Sequence, residues 1–353
     1  MNKKPPFSRG VNFSKWFEEK TFNNIDFFRY NEQDFINVKS IGADVIRLPI
    51  AFHNFLISGK SELENKLLEY LDTIIDWAEK HQIYLILDNH SFHPINPTDV
   101  NIDKILIPVW EQLARHFKNR SDYCIYEVLN EPHGIDDERW NEIQGEVIKV
   151  IRKIDKNRLI IAGGTNYNSI EKMLKVSSYD DEKIIYTFHF YDPHIFTHQG
   201  ATWNKPSLVP LKDLPFPAEK NYKHEIHETF KGTWVEEALK NYENDSQFSV
   251  LSATLKKASD FAKKRNIPVF CGEFGVFMIQ CPQNDRVKWY KFICSELEKL
   301  NISWTCWDYF WGFGLFNYKK NPQRQSIQDF SKGRAEFPQD LNKDVVNAMG
   351  FKI

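Results

Sequence analysis

Glu131, in the run Tyr126-Glu127-Val128-Leu129-Asn130-Glu131-Pro132, and Glu273, in Pro268-Val269-Phe270-Cys271-Gly272-Glu273-Phe274-Gly275, each stand where an apolar run breaks into a turn. A carboxylate at the end of a buried strand costs desolvation free energy, so its presence there points to use. Two such ends, far apart in sequence and shaped alike, suggest carboxyl groups that the fold brings together for acid/base or nucleophilic work.

The elements that would have to position them alternate along the chain. Short apolar runs cover 8–13, 43–49, 83–90, 123–130, 158–163, 184–190, 267–273 and 302–308, and helical patterns separate them at 64–80, 102–117, 140–154, 252–265 and 285–300. In 64–80, for example, Leu67, Leu68, Leu71, Ile74, Ile75 and Ala78 share one face. Such alternation implies parallel strands covered by helices, and the count of runs is that of a closed (β/α)8 barrel. A doubly wound sheet would alternate too, but no glycine-rich phosphate loop follows the first run. The expected fold is α/β: a single (β/α)8 TIM barrel over 1–353 with a long loop after strand 6.

In a barrel of this kind the C-terminal strand ends form the active face. Strand two delivers Arg47, strand three Asp88 and His90, strand four Asn130 and Glu131, strand six His189 and Tyr191, strand seven Glu273, and strand eight Trp307 and Asp308. Taken singly, Arg47 reads as a structural ion-pair partner, His90 and His189 as satisfied core histidines, and Trp307 as rim packing. Their joint placement at strand ends makes those readings improbable together. Glu127 lies four residues before Glu131, deeper in the barrel, where a structural bond to Arg9 or Arg47 is expected. Asp88 and Asp308 are expected at the rim or in a subsite.

This set, with Arg9-Gly10-Val11-Asn12 on strand one, Ile46-Arg47-Leu48-Pro49 on strand two, Asn130-Glu131-Pro132 on strand four and Gly272-Glu273-Phe274-Gly275 on strand seven, resembles glycoside hydrolase family 5, the cellulase-type retaining β-glycosidases. The resemblance covers almost the whole chain. It implies Glu131 as acid/base and Glu273 as nucleophile, Arg47 and Tyr191 as donors that hold the nucleophile charged, and Asn130 on the sugar 2-hydroxyl. His90 and His189 would contact sugar hydroxyls or orient the glutamates, and Trp307 would floor the cleavage point. Retention needs the carboxyls ~5 Å apart, whereas a gap of ~7 Å or more would indicate inversion. The implied activity is endo-β-1,4-glucanase; a mannanase, a β-1,3-glucanase and an exo-acting β-glucosidase are alternatives, and a non-catalytic sugar-binding barrel is a further one.

The remaining composition bounds the partners. With 353 residues, 42% of them hydrophobic, the chain can bury one large core. Its 46 basic and 48 acidic residues, a net charge of −2, offer no basic stripe for nucleic acid and no polybasic membrane patch. A β-linked oligo- or polysaccharide and a monomer are expected. The 10 Trp, 14 Tyr and 28 Phe provide rings for stacking on sugars, although most Phe must be core. Trp203, in the long segment from Asp192 to about Ser246 that reads as structureless, is a candidate stacking residue or else barrel packing, and Trp311 a candidate subsite extension. His90 and His93 form an H-x-x-H, and His194 lies near His189, but neither spacing supplies a coordination set, so no metal and no cofactor are expected. Five cysteines, an odd number, read as free thiols. No apolar stretch of signal or membrane-span length is present, which leans cytoplasmic; a secreted protein with its leader already removed would read the same.

Overall fold

Each of the eight apolar runs forms a parallel strand: β1 (Arg9–Asn12), β2 (Val45–Ile50), β3 (Tyr84–Asn89), β4 (Cys124–Glu127), β5 (Ile160–Gly163), β6 (Ile184–Phe190), β7 (Val269–Phe274) and β8 (Ser303–Cys306), closed into a barrel in sequence order. The structure is a computed structural model that describes residues 3–91, 96–317 and 335–353; His93 of the H-x-x-H lies outside them. Between the strands run the helices Asn65–His81, Asp103–Phe117, Asp137–Ile154, Phe248–Arg265 and Gln283–Lys299, within a few residues of the expected ranges. All five cysteines are free thiols, and among the described residues no helix is long and apolar enough to cross a membrane.

Among the helices that depart from the sequence expectation, the two longest are informative. Glu32–Ser40 is a helix that was not anticipated, because it buries only Asp34, Phe35 and Val38; its start is fixed instead by a capping box between Asn31 and Asp34. The stretch after β6 is not structureless. It contains Trp234–Asp245, a helix capped by the Thr233 side chain, whose Val235, Leu239 and Tyr242 bury one face at helical spacing. The prolines preceding it masked that pattern.

The period-two geometry of strands divides the barrel interior into floors. Val45, Ile86, Ile125, Ile161, Ile185 and Phe270 form an apolar lower floor that Phe7 plugs from beneath, its ring edge-on to Phe270 at 5.1 Å. Two residues further along the same strands the side chains become Arg47, Asp88, Glu127 and Thr187, all fully buried. The barrel therefore changes from hydrocarbon to charge within one step of the pleat. Gly10 allows β1 to approach β2: a Cβ there would lie 1.8 Å from the Val45 carbonyl oxygen.

Two residues before β5, Arg158 staples the N-terminal ends of the strands to the helix before β4. Its guanidinium donates to Asp155 Oδ2 at 2.9 Å and to the carbonyl oxygens of Ser121, Cys124, Phe117 and Arg120 at 2.6–3.0 Å, tying the last turn of the helix before β4 to β4 itself. Arg9, in turn, donates to the Gly350 carbonyl and pairs with Glu298, fastening the C-terminal segment to β1. Removing one member of a buried ion pair leaves the other uncompensated. Arg158→Ala is expected to lower unfolding stability by about 3 kcal/mol while leaving turnover below the transition unchanged; a chemical-denaturation curve alongside an activity assay checks both.

Candidate active site

The charged floor meets solvent at the C-terminal ends of the strands, and Arg47 organises it. Nε and Nη2 grip the Glu127 carboxylate at 2.7 and 3.0 Å, a bidentate arrangement. Nη1 donates to Glu273 Oε1 at 2.7 Å and Asn12 Oδ1 at 3.0 Å. Nη2 also reaches Asn130 Oδ1 at 2.8 Å and Asp88 Oδ2 at 3.0 Å. Of the two arginines expected to hold Glu127, Arg47 does so and Arg9 does not.

Three carboxylates around one guanidinium leave an excess of negative charge that the neighbouring side chains must accommodate. Glu273 also accepts from the Tyr191 hydroxyl at 2.8 Å. Burial pushes the Glu273 carboxyl up, with Asp88 adding to the rise, and Arg47, His90 and the Tyr191 hydroxyl offset only part of it, so the carboxyl stays above its usual range. Among the described residues no cation donates to Glu131. Burial first and the facing Glu273 second hold its carboxyl well above the usual range. The two carboxyls are thus pushed apart by their surroundings, Glu131 holding its proton and Glu273 giving it up more readily. Tyr191 is kept protonated by burial and by Glu273.

His189 sits between the pair, with Nδ1 2.7 Å from Glu131 Oε1 and 3.7 Å from Glu273 Oε2. Burial and the nearby Arg47 keep its ring neutral. One donor atom each from Glu131, His189 and Glu273 all lie within 4.8 Å of one another. The distances alone would suit a cation, but Arg47 already donates to Glu273 and its charge opposes a second one. His90 is held by Asp88, Oδ2 to Nδ1 2.6 Å; burial lowers the ring's pKa, and Asp88 together with Glu18 and Glu273 more than offsets it, so that the pKa is raised. Its Nε2 lies 3.4 Å from Asn130 Nδ2, so the amide spans Arg47 on one side and His90 on the other.

Trp307 stacks on His90, 5.6 Å between centroids at 10°, and its backbone N–H donates to the Phe274 carbonyl. A Cβ at position 275 would lie 2.2 Å from the Trp307 carbonyl oxygen, which explains the glycine after Glu273-Phe274. Trp203 and Trp311 lie 5.6 Å apart, half-buried, and pack with Phe277 and Phe313 onto the cluster that contains Trp307. Trp203 therefore packs into the ring cluster around Trp307.

All ten residues singled out in the sequence are brought to this end of the barrel. The rim placement of Asp88 and Asp308 is corrected: both are fully buried. Asp88 ties Arg47 to His90, and Asp308 accepts from the Ser14 hydroxyl, with burial pushing its carboxyl up to about 7. Asp88 follows Ile86 by two residues on β3 and precedes His90 by two, so strand alternation already placed all three side chains on one face. Asn12 had no assigned role and proves to be a ligand of Arg47; Phe277 and Phe313 had no signal beyond being aromatic.

Comparison with known proteins agrees with this geometry. The family described as cellulase (glycosyl hydrolase family 5) matches residues 3–311. Endoglucanase C of Acetivibrio thermocellus is 29% identical over 335 residues, covering 91% of this chain and 96% of that one. Cellodextrinase A of Ruminococcus flavefaciens is 28% identical over 314 residues, covering 84% of each. The crystal structure of endoglucanase Cel5A from Thermotoga maritima superposes with a TM-score of 0.76 at 24% identity over 97% of this chain and 96% of that one, a likeness of fold. With the barrel, the strand-end set and the family match in agreement, the chain belongs to glycosyl hydrolase family 5 and hydrolyses β-glycosidic bonds of carbohydrate.

Proposed function

We propose that this protein is an endo-acting β-1,4-glucanase that cleaves with retention of configuration, Glu131 serving as acid/base and Glu273 as nucleophile. The observation that carries the mechanism is the approach of the two carboxyls: donor atoms of Glu131 and Glu273 lie within 4.8 Å. Retaining enzymes hold the pair ~5 Å apart because the nucleophile attacks the anomeric carbon directly, while inversion needs room for a water. The substrate reading is supported by relatives named as endoglucanases that match most of their own length.

In the first step a Glu273 oxygen bonds to the anomeric carbon as the bond to the leaving oxygen breaks, and the Glu131 proton goes to that oxygen. In the second step Glu131, now ionised, takes a proton from water, whose oxygen displaces Glu273 and restores the original configuration. Arg47 and Tyr191 both donate to Glu273, which keeps it ionised before attack and stabilises it as the leaving group. The Asn130 amide accepts from Arg47 through Oδ1 and turns Nδ2 to His90 Nε2, which leaves a second amide hydrogen that a sugar 2-hydroxyl would accept.

Soluble β-1,4-glucan is expected to lose viscosity faster than reducing ends accumulate, and the first-formed product, followed by NMR, is expected to be the β-anomer. An α-anomer as first product would overturn retention. Glu273→Gln should lower turnover by several orders of magnitude; near-normal activity would remove it from its role. Glu131→Gln should lower kcat/KM on glucan by about 10²- to 10⁴-fold and abolish the alkaline limb of the pH profile, since that limb reports loss of the Glu131 proton. Tyr191→Phe removes a donor that lowers the Glu273 pKa. Protonated Glu273 is inactive, so the acid limb should move to higher pH, with kcat down roughly tenfold or more.

A further inference from the structure

β6 and β7 fall out of step beside the catalytic pair. Phe188 pairs with Cys271 but His189 with Glu273, so Gly272 is an extra residue on β7. By strict alternation Glu273 would face away from the interior that Phe270 lines; the bulge turns it inward, to Arg47. The Gly272 carbonyl is held there by Asn12 Nδ2 at 3.1 Å and Thr305 Oγ1 at 2.6 Å. Its missing side chain matters as well: a Cβ would lie 3.0 Å from Thr187 Oγ1 and 3.1 Å from His189 Nε2.

Thr187 and His189 stand two apart on β6 and share its inner face. Both residues are buried, and among the described residues neither Thr187 Oγ1 nor His189 Nε2 has a hydrogen-bond partner. A buried polar atom left unmet is costly, so two that crowd one glycine satisfy each other. Counting hydrogens sets the direction. Burial, Arg47 and His90 keep the His189 ring neutral, so one ring nitrogen carries a hydrogen and the other a lone pair. With the hydrogen on Nε2, Thr187 would accept it while its own hydroxyl hydrogen found no acceptor. With the hydrogen on Nδ1, Thr187 donates to Nε2 and Nδ1–H donates to Glu131 Oε1, 2.7 Å away. Every hydrogen is then met.

We propose that Thr187 is a positioning residue for the acid: its hydroxyl donates to His189 Nε2 and holds the imidazole in the tautomer that presents Nδ1–H to Glu131. The consequence falls on the proton of Glu131. While Oε1 accepts from Nδ1–H, that proton is left on Oε2 and is available to the leaving oxygen; in the other tautomer it would be engaged by Nδ1. Once the proton has been given up, the same N–H stabilises the carboxylate.

This rests on Glu131 as the acid, and the test separates the two readings. Wild type, Thr187→Val and Thr187→Ser are compared by kcat/KM on cellotetraose, whose departing sugar needs a proton, and on 2,4-dinitrophenyl β-cellobioside, whose phenolate leaves without one. Valine keeps the shape and removes the hydroxyl, so the ratio of the first value to the second should fall about tenfold in Thr187→Val and recover in Thr187→Ser. Nitrogen NMR of labelled histidine, with His189 assigned by its loss in His189→Gln, should place the ring hydrogen of the wild type on Nδ1. An unchanged ratio in Thr187→Val, whether neither substrate is affected or both fall together, overturns the proposal, as does a wild-type ring hydrogen on Nε2. The dinitrophenyl value itself reports that each variant is folded. A Glu131→Gln variant that lost kcat/KM on the dinitrophenyl substrate as heavily as on cellotetraose would instead overturn the acid assignment.

Discussion

One guanidinium, buried without any contact with solvent, holds the catalytic end of this barrel together. An arginine can occupy such a site only if its N–H groups are met and its charge is balanced. Arg47 meets both conditions through Glu127, Asp88, Glu273, Asn130 and Asn12, contributed by four strands and their ends. The balance is deliberately uneven in sign. With more carboxylates than cations in a dry enclosure, the proton left over resides on Glu131, the carboxyl whose pKa burial and the facing Glu273 raise well above its usual range.

The difference between two chemically identical side chains is therefore a property of placement. Glu273 is reached by Arg47 and Tyr191, whereas Glu131 has a neutral imidazole at its side. The barrel makes this possible because parallel strands deliver their ends to one plane while helices outside absorb the return of the chain. The apolar lower floor around Phe7 gives those ends a rigid base, and the loops above them are free to vary. The ring cluster beside the site uses that freedom, with Trp203 on the loop after β6 and Trp307 and Trp311 on the loop after β8.

Much of this was legible in the residue order. The eight apolar runs became the eight strands with small shifts at their ends, and the residues at those ends became the site. Two readings failed for physical reasons. Asp88 and Asp308 were expected at the rim because isolated carboxylates prefer water, yet both are buried because Arg47 and His90 meet one and Ser14 the other. The segment after β6 was expected to lack structure because prolines crowd its first half, yet Trp234–Asp245 is helical, since its buried stripe of Val235, Leu239 and Tyr242 outweighs the breakers upstream.

The sequence by itself determined the alternation of strands and helices, the identity of the strand-end residues and hence the two glutamates, because period-two and helical patterns are local and survive in a linear reading. Only the tertiary structure decided which glutamate keeps its proton and how near the two come. Those properties depend on distances between residues remote in the chain: Arg47 to Glu273 and His189 to Glu131. Electrostatic energy inside a low-dielectric site varies steeply with such distances, and nothing in the order of residues encodes them directly.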